Sequence, residues 1–227
     1  MQRKTIIISD LHLWTPDAQP QKLLQFLEKN TCETLILNGD IVDERYIKYF
    51  WSRTSDYDLF FQQLKNICKQ NNTTLHYIIG NHERIKKPKA VSFGKMEHEL
   101  LYTSYGKTYL ILHGDLFEKG METLNAYSTT MFFIDEVIAR LDRVLHTHYI
   151  ISRTLKNIFQ YISGWAKKME KAAYEYAKRR KADAIISGHT HKPMIKMLWD
   201  VQYLNCGNRT ETCSALVEDE KGNRKIV

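Results

Sequence analysis

The chain has 227 residues, 43% of them hydrophobic, which is enough to bury one large core, and no repeat, low-complexity tract or Pro/Gly-rich linker marks a second domain. Its formal net charge of +7 favours anionic partners, among them nucleic acid, phosphorylated metabolites and acidic membrane surfaces, without choosing between them. The apolar runs are far too short for a transmembrane helix, and the four cysteines (Cys32, Cys68, Cys206, Cys213) form no CxxC pair, so a disulfide framework is excluded and ordinary reduced thiols are expected.

The chain enters a strand-like run at once, Thr5 to Ser9, which leaves no room for an export leader and predicts a cytoplasmic protein. That run ends in Asp10-Leu11-His12. Apolar residues at helical spacing follow between Pro20 and Leu27, then a second strand from Thr34 to Asn38 ending in Gly39-Asp40-Ile41-Val42-Asp43. Further strands are predicted over Leu75 to Ile79, before Gly80-Asn81-His82-Glu83; Thr108 to Leu112, before His113-Gly114-Asp115; and Ala184 to Ser187, before Gly188-His189-Thr190-His191. The alternation predicts an α/β fold of helix-covered sheets. In such folds ligands sit beyond the carboxyl ends of the strands, where all five polar clusters fall.

The pattern changes between about 116 and 181, which predicts a helical insertion within a single domain. One stripe comprises Ile134, Val137, Ile138, Leu141, Val144 and Leu145; a second comprises Ile151, Leu155, Ile158, Phe159, Ile162 and Trp165. Stripes of this kind ordinarily bury against neighbouring helices, with part of the face available to a substrate. From Arg153 to Lys181 nine basic residues face two acidic ones, a net +7, so this helix suits either a solvated face or an anionic membrane surface. After Pro193, alternating stretches over Met197 to Leu204 and Ser214 to Val217, with a turn at Glu220-Lys221-Gly222-Asn223, predict hairpins completing a second sheet.

Along an extended segment residues i and i+2 point the same way, so Asp10 with His12, and His189 with His191, are expected to offer paired groups to one side. The glycines permit tight turns and close backbone approach. Carboxylate, imidazole and amide oxygen together suit Mn, Fe, Zn or Ni better than calcium alone. One such cluster carries little weight, but five in series at the ends of successive strands point to a shared site.

The ordered pattern DxH, GDxxD, GNH, HGD and GHTH resembles that of the calcineurin-like metallophosphoesterases, over Lys4 to Lys192. The resemblance implies two stacked mixed β-sheets flanked by helices, and a pair of divalent metal ions, with Mn expected ahead of Fe, Zn or Ni. It assigns Asp10, His12 and His191 to one ion, Asn81, His113 and His189 to the other, and Asp40 to both. It further implies that His82 is catalytic and that Asp43 orients it.

A longer match is to the branch of that family containing UDP-2,3-diacylglucosamine diphosphatase. It rests on the helical insertion, which that branch uses as a lid, and on Leu204-Asn205-Cys206-Gly207-Asn208-Arg209 through Leu216. Three departures stand out: His82 where the diphosphatase commonly has arginine, Glu83 for the usual aspartate, and Asn208-Arg209 for Asp-Trp. The branch implies a lipid-linked or nucleotide diphosphate substrate, with peripheral contact to an anionic membrane. A nuclease or cyclic-nucleotide phosphodiesterase is a rival reading. Nucleic acid is disfavoured because the basic residues concentrate on one helix without an interleaved aromatic platform. A non-catalytic metal-binding scaffold is the other rival, set against the complete set of ligand types.

Overall fold

The computed structural model describes residues 1–44, 46, 56–83, 96–117 and 165–227, together with 137, 138, 140–142, 144, 145, 150, 151 and 154. The chain falls into two compact units, one comprising Met1–Asp115 and Tyr176–Val227, the other Leu116–Glu175.

Two sheets make up the first unit. One has the strand order β11-β10-β1-β2-β3-β4, where β1 is Gln2–Ile8, β2 Thr31–Asn38, β3 Thr74–Ile78, β4 Met96–Glu97, β10 Leu216–Glu218 and β11 Arg224–Ile226. The other runs β5-β6-β7-β9-β8, with β5 Glu99–Ser104, β6 Lys107–Leu112, β7 Ala184–Ser187, β8 Met194–Leu198 and β9 Val201–Asn205. Strands β1, β2 and β3 are parallel neighbours, as are β6, β7 and β9. The five strands expected ahead of the polar clusters are therefore β1, β2, β3, β6 and β7, split between the two sheets.

The near-continuous apolar runs of β1 and β2 follow from burial on both faces. Ile6, Ile8, Leu35 and Leu37 face the helices α1 (Pro20–Lys29) and α2 (Asp56–Gln70), packing with Leu23, Leu24, Leu27, Phe60 and Leu64. Ile7 and Ile36 face the other way, into a core shared with Ile111, Ile186 and Leu204 of the second sheet. Helix α1 begins with proline at its first turn, where no amide donor is needed, and ends at Asn30, whose amide bonds Phe26 O at 2.9 Å.

The C-terminal hairpins depart from expectation. Only β8-β9 joins the second sheet. The β10-β11 hairpin joins the first, antiparallel to β1 with Ile6 opposite Val217, because Leu216 and Val217 point to opposite faces and both faces there are buried. Helix α2 and strands β4 and β5 had no counterpart in the sequence reading.

Within the second unit Val137, Ile138, Leu141, Val144 and Ile151 are helical, and α3 (Trp165–Arg179) begins there. The expectation that the first stripe is buried fails for most of its described members. Val137 is 57% exposed, Leu141 49%, Val144 73% and Leu145 58%. Ile134, Leu155, Ile158, Phe159 and Ile162 lie outside the described residues. Among the described residues no helix is long and apolar enough to cross a membrane.

Ile36 is fully buried between the sheets that carry the polar clusters. Ile36→Ala is expected to destabilise the protein by about 2–5 kcal/mol, read as a lower urea midpoint at unchanged denaturant slope.

Candidate metal centre

The five clusters meet at one edge of the sheet pair because the parallel pairing of β1 with β2 continues into their loops. Asp10 N bonds Gly39 O at 3.0 Å, His12 N bonds Asp40 O at 3.0 Å, and Leu13 N bonds Ile41 O at 2.8 Å. From the second sheet, Gly188 N bonds His113 O at 2.9 Å, and Arg209 N reaches Asp10 O at 3.1 Å. Backbone hydrogen bonds thus hold the loops before any side chain is considered.

The extended geometry expected for Asp10 with His12 and for His189 with His191 is absent. All four, and Asp40, have positive φ: 54° at Asp10, 46° at His12, 52° at Asp40, 61° at His189 and 60° at His191. Left-handed backbone at a residue with a Cβ costs on the order of 1–3 kcal/mol, and it persists only where the surroundings enforce it. Here it occurs at five of the residues whose side chains supply the converging donor atoms. Two glycines make room. A Cβ on Gly80 would lie 2.1 Å from Asp40 Oδ1 and 2.5 Å from Asp40 N, and one on Gly188 would lie 2.5 Å from Asp10 Oδ2.

Ligand atoms gather in overlapping groups whose members lie within 4.8 Å of one another: Asp10, His12 and His191; Asp40, His113 and His189; and His12, Asp40 and His82. Asp10 Oδ1 is 3.1 Å from His191 Nε2, His113 Nε2 is 3.1 Å from Asp40 Oδ2, and the Nε2 atoms of His12 and His191 are 3.4 Å apart. Asn81 opens a 3-10 turn, Asn81–Glu83, beside Asp40, whose Oδ1 accepts the His82 amide at 2.9 Å. All nine sequence-predicted residues are among those described. Asn81 is tied to the cluster through that turn.

The donor set fits divalent cations. Asn81 Oδ1 is buried with no hydrogen-bond partner, at a cost of about 1–3 kcal/mol, and Asp10 Oδ1 and His113 Nε2 have only the 3.1 Å charge contacts with His191 and Asp40, which are poorly directed as hydrogen bonds. The second ring nitrogens are occupied as ligating histidines require. His113 Nδ1 is 3.0 Å from Asn38 O and His12 Nδ1 is 3.3 Å from Asp43 Oδ2, which directs each Nε2 lone pair to the cluster. Charge points the same way. Burial would lower His113, but the carboxylates of Asp40 and Asp10 outweigh it and push the ring up to about 10, a sign of strongly negative potential. Burial would raise Asp10, yet His191 and His113 hold it below the usual carboxylate range.

Asp43 serves two rings. Its Oδ2 is 2.6 Å from His82 Nδ1 as well as 3.3 Å from His12 Nδ1, and its Oδ1 accepts the Tyr46 amide at 2.9 Å. The His82 ring is 15% exposed, with Nε2 3.6 Å from Asp40 Oδ2. Burial lowers its pKa despite the opposing charges of Asp40 and Asp43, so the partner orients the ring without raising it on balance. Glu83 appeared in the sequence only as a departure from aspartate. It is 3% exposed and accepts the amides of Gly80 and Ile41, both at 2.7 Å, and of Val42 at 3.1 Å.

Two stacked mixed sheets with a histidine and carboxylate cluster at their strand ends define a protein of the metallophosphoesterase class. The profile of the calcineurin-like phosphoesterases matches residues 3–193, and the chain belongs to that family of divalent-metal-using phosphoester hydrolases. Among curated relatives, UDP-2,3-diacylglucosamine hydrolase of Photorhabdus laumondii is 24% identical over 221 residues, covering 84% of this chain and 83% of that one. The Blochmanniella pennsylvanica protein of the same name is 24% identical over 247 residues, covering 98% and 94%. YfcE, a phosphoesterase from E. coli, has a similar structure with a TM-score of 0.52 at 13% identity, covering 99% of this chain and 98% of that one. Vacuolar Protein Sorting 29 from Cryptosporidium parvum gives 0.51 at 13% identity, covering 98% and 94%. At such identities the two structures speak to fold alone.

Gly80→Ala drives a methyl group into Asp40. The expected result is a loss of about 1–3 kcal/mol in stability together with weaker uptake of Mn(II). Gly106→Ala, in a turn with nothing within 4 Å of the added atom, is expected to keep wild-type metal uptake in the same calorimetric titration.

Proposed function

We propose that this chain is a dinuclear metal-dependent hydrolase of a phosphate ester or pyrophosphate bond. In this reading Asp10, His12 and His191 hold one ion, Asn81, His113 and His189 the other, and Asp40 serves both. The observation that carries it is the pair of ligand groups, Asp10/His12/His191 and Asp40/His113/His189, each converging within 4.8 Å. Divalent ions at these positions would polarise phosphoryl oxygens and lower the pKa of a water. Mn is the first expectation, with Fe, Zn or Ni compatible with the same ligands.

The residues around the ions have separate tasks. His82, anchored through Nδ1 on Asp43, presents Nε2 as the group that passes a proton to the leaving oxygen. Asp43 fixes the His82 ring and also the tautomer of His12, so it bears on metal binding as well as on proton transfer. The partly exposed rings of His82 and His191, at 15% and 21%, give substrate its approach.

For the substrate we infer a lipid-linked or nucleotide diphosphate of the UDP-2,3-diacylglucosamine kind, supported by the names of the two curated relatives and their coverage. Arg209, which replaces tryptophan in the branch pattern, is 3% exposed with its guanidinium 5.2 Å from the Phe26 ring, so its own place is structural. We read the stretch from about 116 to 181 as a helical insertion within a single phosphoesterase domain, serving either the acyl chains of the substrate or a membrane surface. Contact with the cytoplasmic face of an anionic membrane goes with this reading. Ion pairs of Lys178 with Asp200 at 2.7 Å, of Arg180 with Glu99, and of Lys171 with Glu175 at 3.9 Å reduce the charge left for it.

His82→Ala is expected to keep its metal while losing activity by a factor of about 10² to 10⁴, measured by metal analysis and kinetics on one preparation. Asp43→Asn is expected to lose activity and metal affinity together. Full activity in His82→Ala would remove that ring from the reaction. A hydrolysis screen with added Mn, comparing UDP-diacylglucosamine, nucleotide sugars, cyclic nucleotides and simple phosphodiesters, is expected to favour the lipid nucleotide. Preference for cyclic nucleotides or phosphodiesters would move the chain to another branch, and bound metal without any hydrolysis would favour a scaffold. Liposome sedimentation should recover more protein with anionic than with neutral vesicles; equal recovery contradicts membrane contact.

A further inference from the structure

We propose that Glu83 is a positioning residue for the metal centre: its buried carboxylate clamps the backbone of the loops that carry Asp40 and Asn81, setting where those two groups stand. The proposal rests on the dinuclear reading above, because positioning has meaning only if those residues hold ions.

The two oxygens divide the work. Oε1 accepts the amides of Ile41 at 2.7 Å and Val42 at 3.1 Å, and the Tyr77 hydroxyl. Oε2 accepts the amides of Gly80 at 2.7 Å and Asp40 at 3.3 Å. Three successive amides, at 40, 41 and 42, therefore point at one carboxylate, an arrangement of backbone dipoles that suits an anion. In this chain the carboxyl group there belongs to the protein; burial and the neighbouring Asp40 push it up to about 7, and the backbone amides oppose that shift.

That geometry touches the metal ligands on both sides. Asp40 has φ 52°, and a left-handed residue holds its place only when the neighbouring backbone is fixed. Glu83 fixes it from the amide side. Gly80, bonded to the same carboxylate, precedes Asn81 directly, and the His82 amide closes the link by donating to Asp40 Oδ1 at 2.9 Å. The clamp thus joins the loop after β2 to the turn after β3. Gly80 cannot carry a side chain without meeting Asp40, so the two loops have no slack to take up if the clamp is released.

A merely space-filling role predicts a different order of variants. Glu83→Gln keeps the volume but turns an NH₂ group toward backbone donors, while Glu83→Asp keeps the carboxyl group and loses a methylene. Calorimetric titration of chelator-stripped protein with Mn(II), alongside the visible spectrum of the Co(II) form and the unfolding midpoint, separates the two. Metal affinity is expected to fall in the order wild type, Glu83→Asp, Glu83→Gln, with at least a tenfold loss and an altered Co(II) spectrum in Glu83→Gln. Wild-type affinity and spectrum in Glu83→Gln, with only the unfolding midpoint lowered, would overturn the proposal and leave the dinuclear reading intact. Wild-type protein that binds no ion would overturn both. If Glu83→Gln does not fold, Glu83→Asp and Tyr77→Phe carry the test: a twofold to tenfold weakening is expected, and wild-type affinity in both overturns the clamp.

Discussion

Asp10 and Asp40 lie at the ends of adjacent parallel strands with 0% and 1% of their surface exposed. Taking a carboxylate out of water costs several kcal/mol even after the surroundings relax, so two of them side by side must be met by positive charge or by donors. The protein supplies both. Imidazoles crowd around them, the amide of His189 donates to Asp10 at 3.0 Å, and the amide of His82 donates to Asp40 at 2.9 Å. The balance within the protein is still incomplete, since Asn81 Oδ1 has no hydrogen-bond partner, and Asp10 Oδ1 and His113 Nε2 have only poorly directed contacts with His191 and Asp40. The proposed pair of divalent cations would relieve all of these tensions together.

The two sheets contribute different donor groups. The first delivers Asp10, His12, Asp40 and Asn81 from β1, β2 and β3, while the second delivers His113, His189 and His191 from β6 and β7. Their spacing is set by the apolar core between them, in which Ile7, Ile36, Ile111 and Ile186 interlock. Loss of packing there moves one half of the donor set against the other. With ions held as proposed, a change in that core would alter metal affinity as well as stability.

Much of this was legible in the sequence because the signals were of a kind that sequence records well. Runs such as Thr5 to Ser9 and Thr34 to Asn38 alternate between two buried faces, and each stops at a glycine or a carboxylate. What escaped was conformational. Asp and His enter left-handed backbone more readily than most residues with a Cβ, but Asp10-Leu11-His12 alone does not show that both ends of the triplet adopt it. The sharing of Asp43 between two imidazoles depends on the folded position of His12, thirty-one residues away in the chain. Glu83 could have been found through its place directly after Asn81 and His82, but its amide partners come from another loop. In the second unit, the spacing at Val137 and Leu141 matches the helix found there but not the exposure, since periodicity reports a face and not what covers it.

The proposed chemistry requires that these side chains hold two ions at the ends of the strands. Anomalous diffraction at the manganese edge, from crystals grown with Mn(II), locates such ions without reference to activity. Two peaks are expected, one bounded by Asp10, His12 and His191 and one by Asn81, His113 and His189, with Asp40 between them. No peak within that ring of residues, or ions held only at the protein surface, would contradict it.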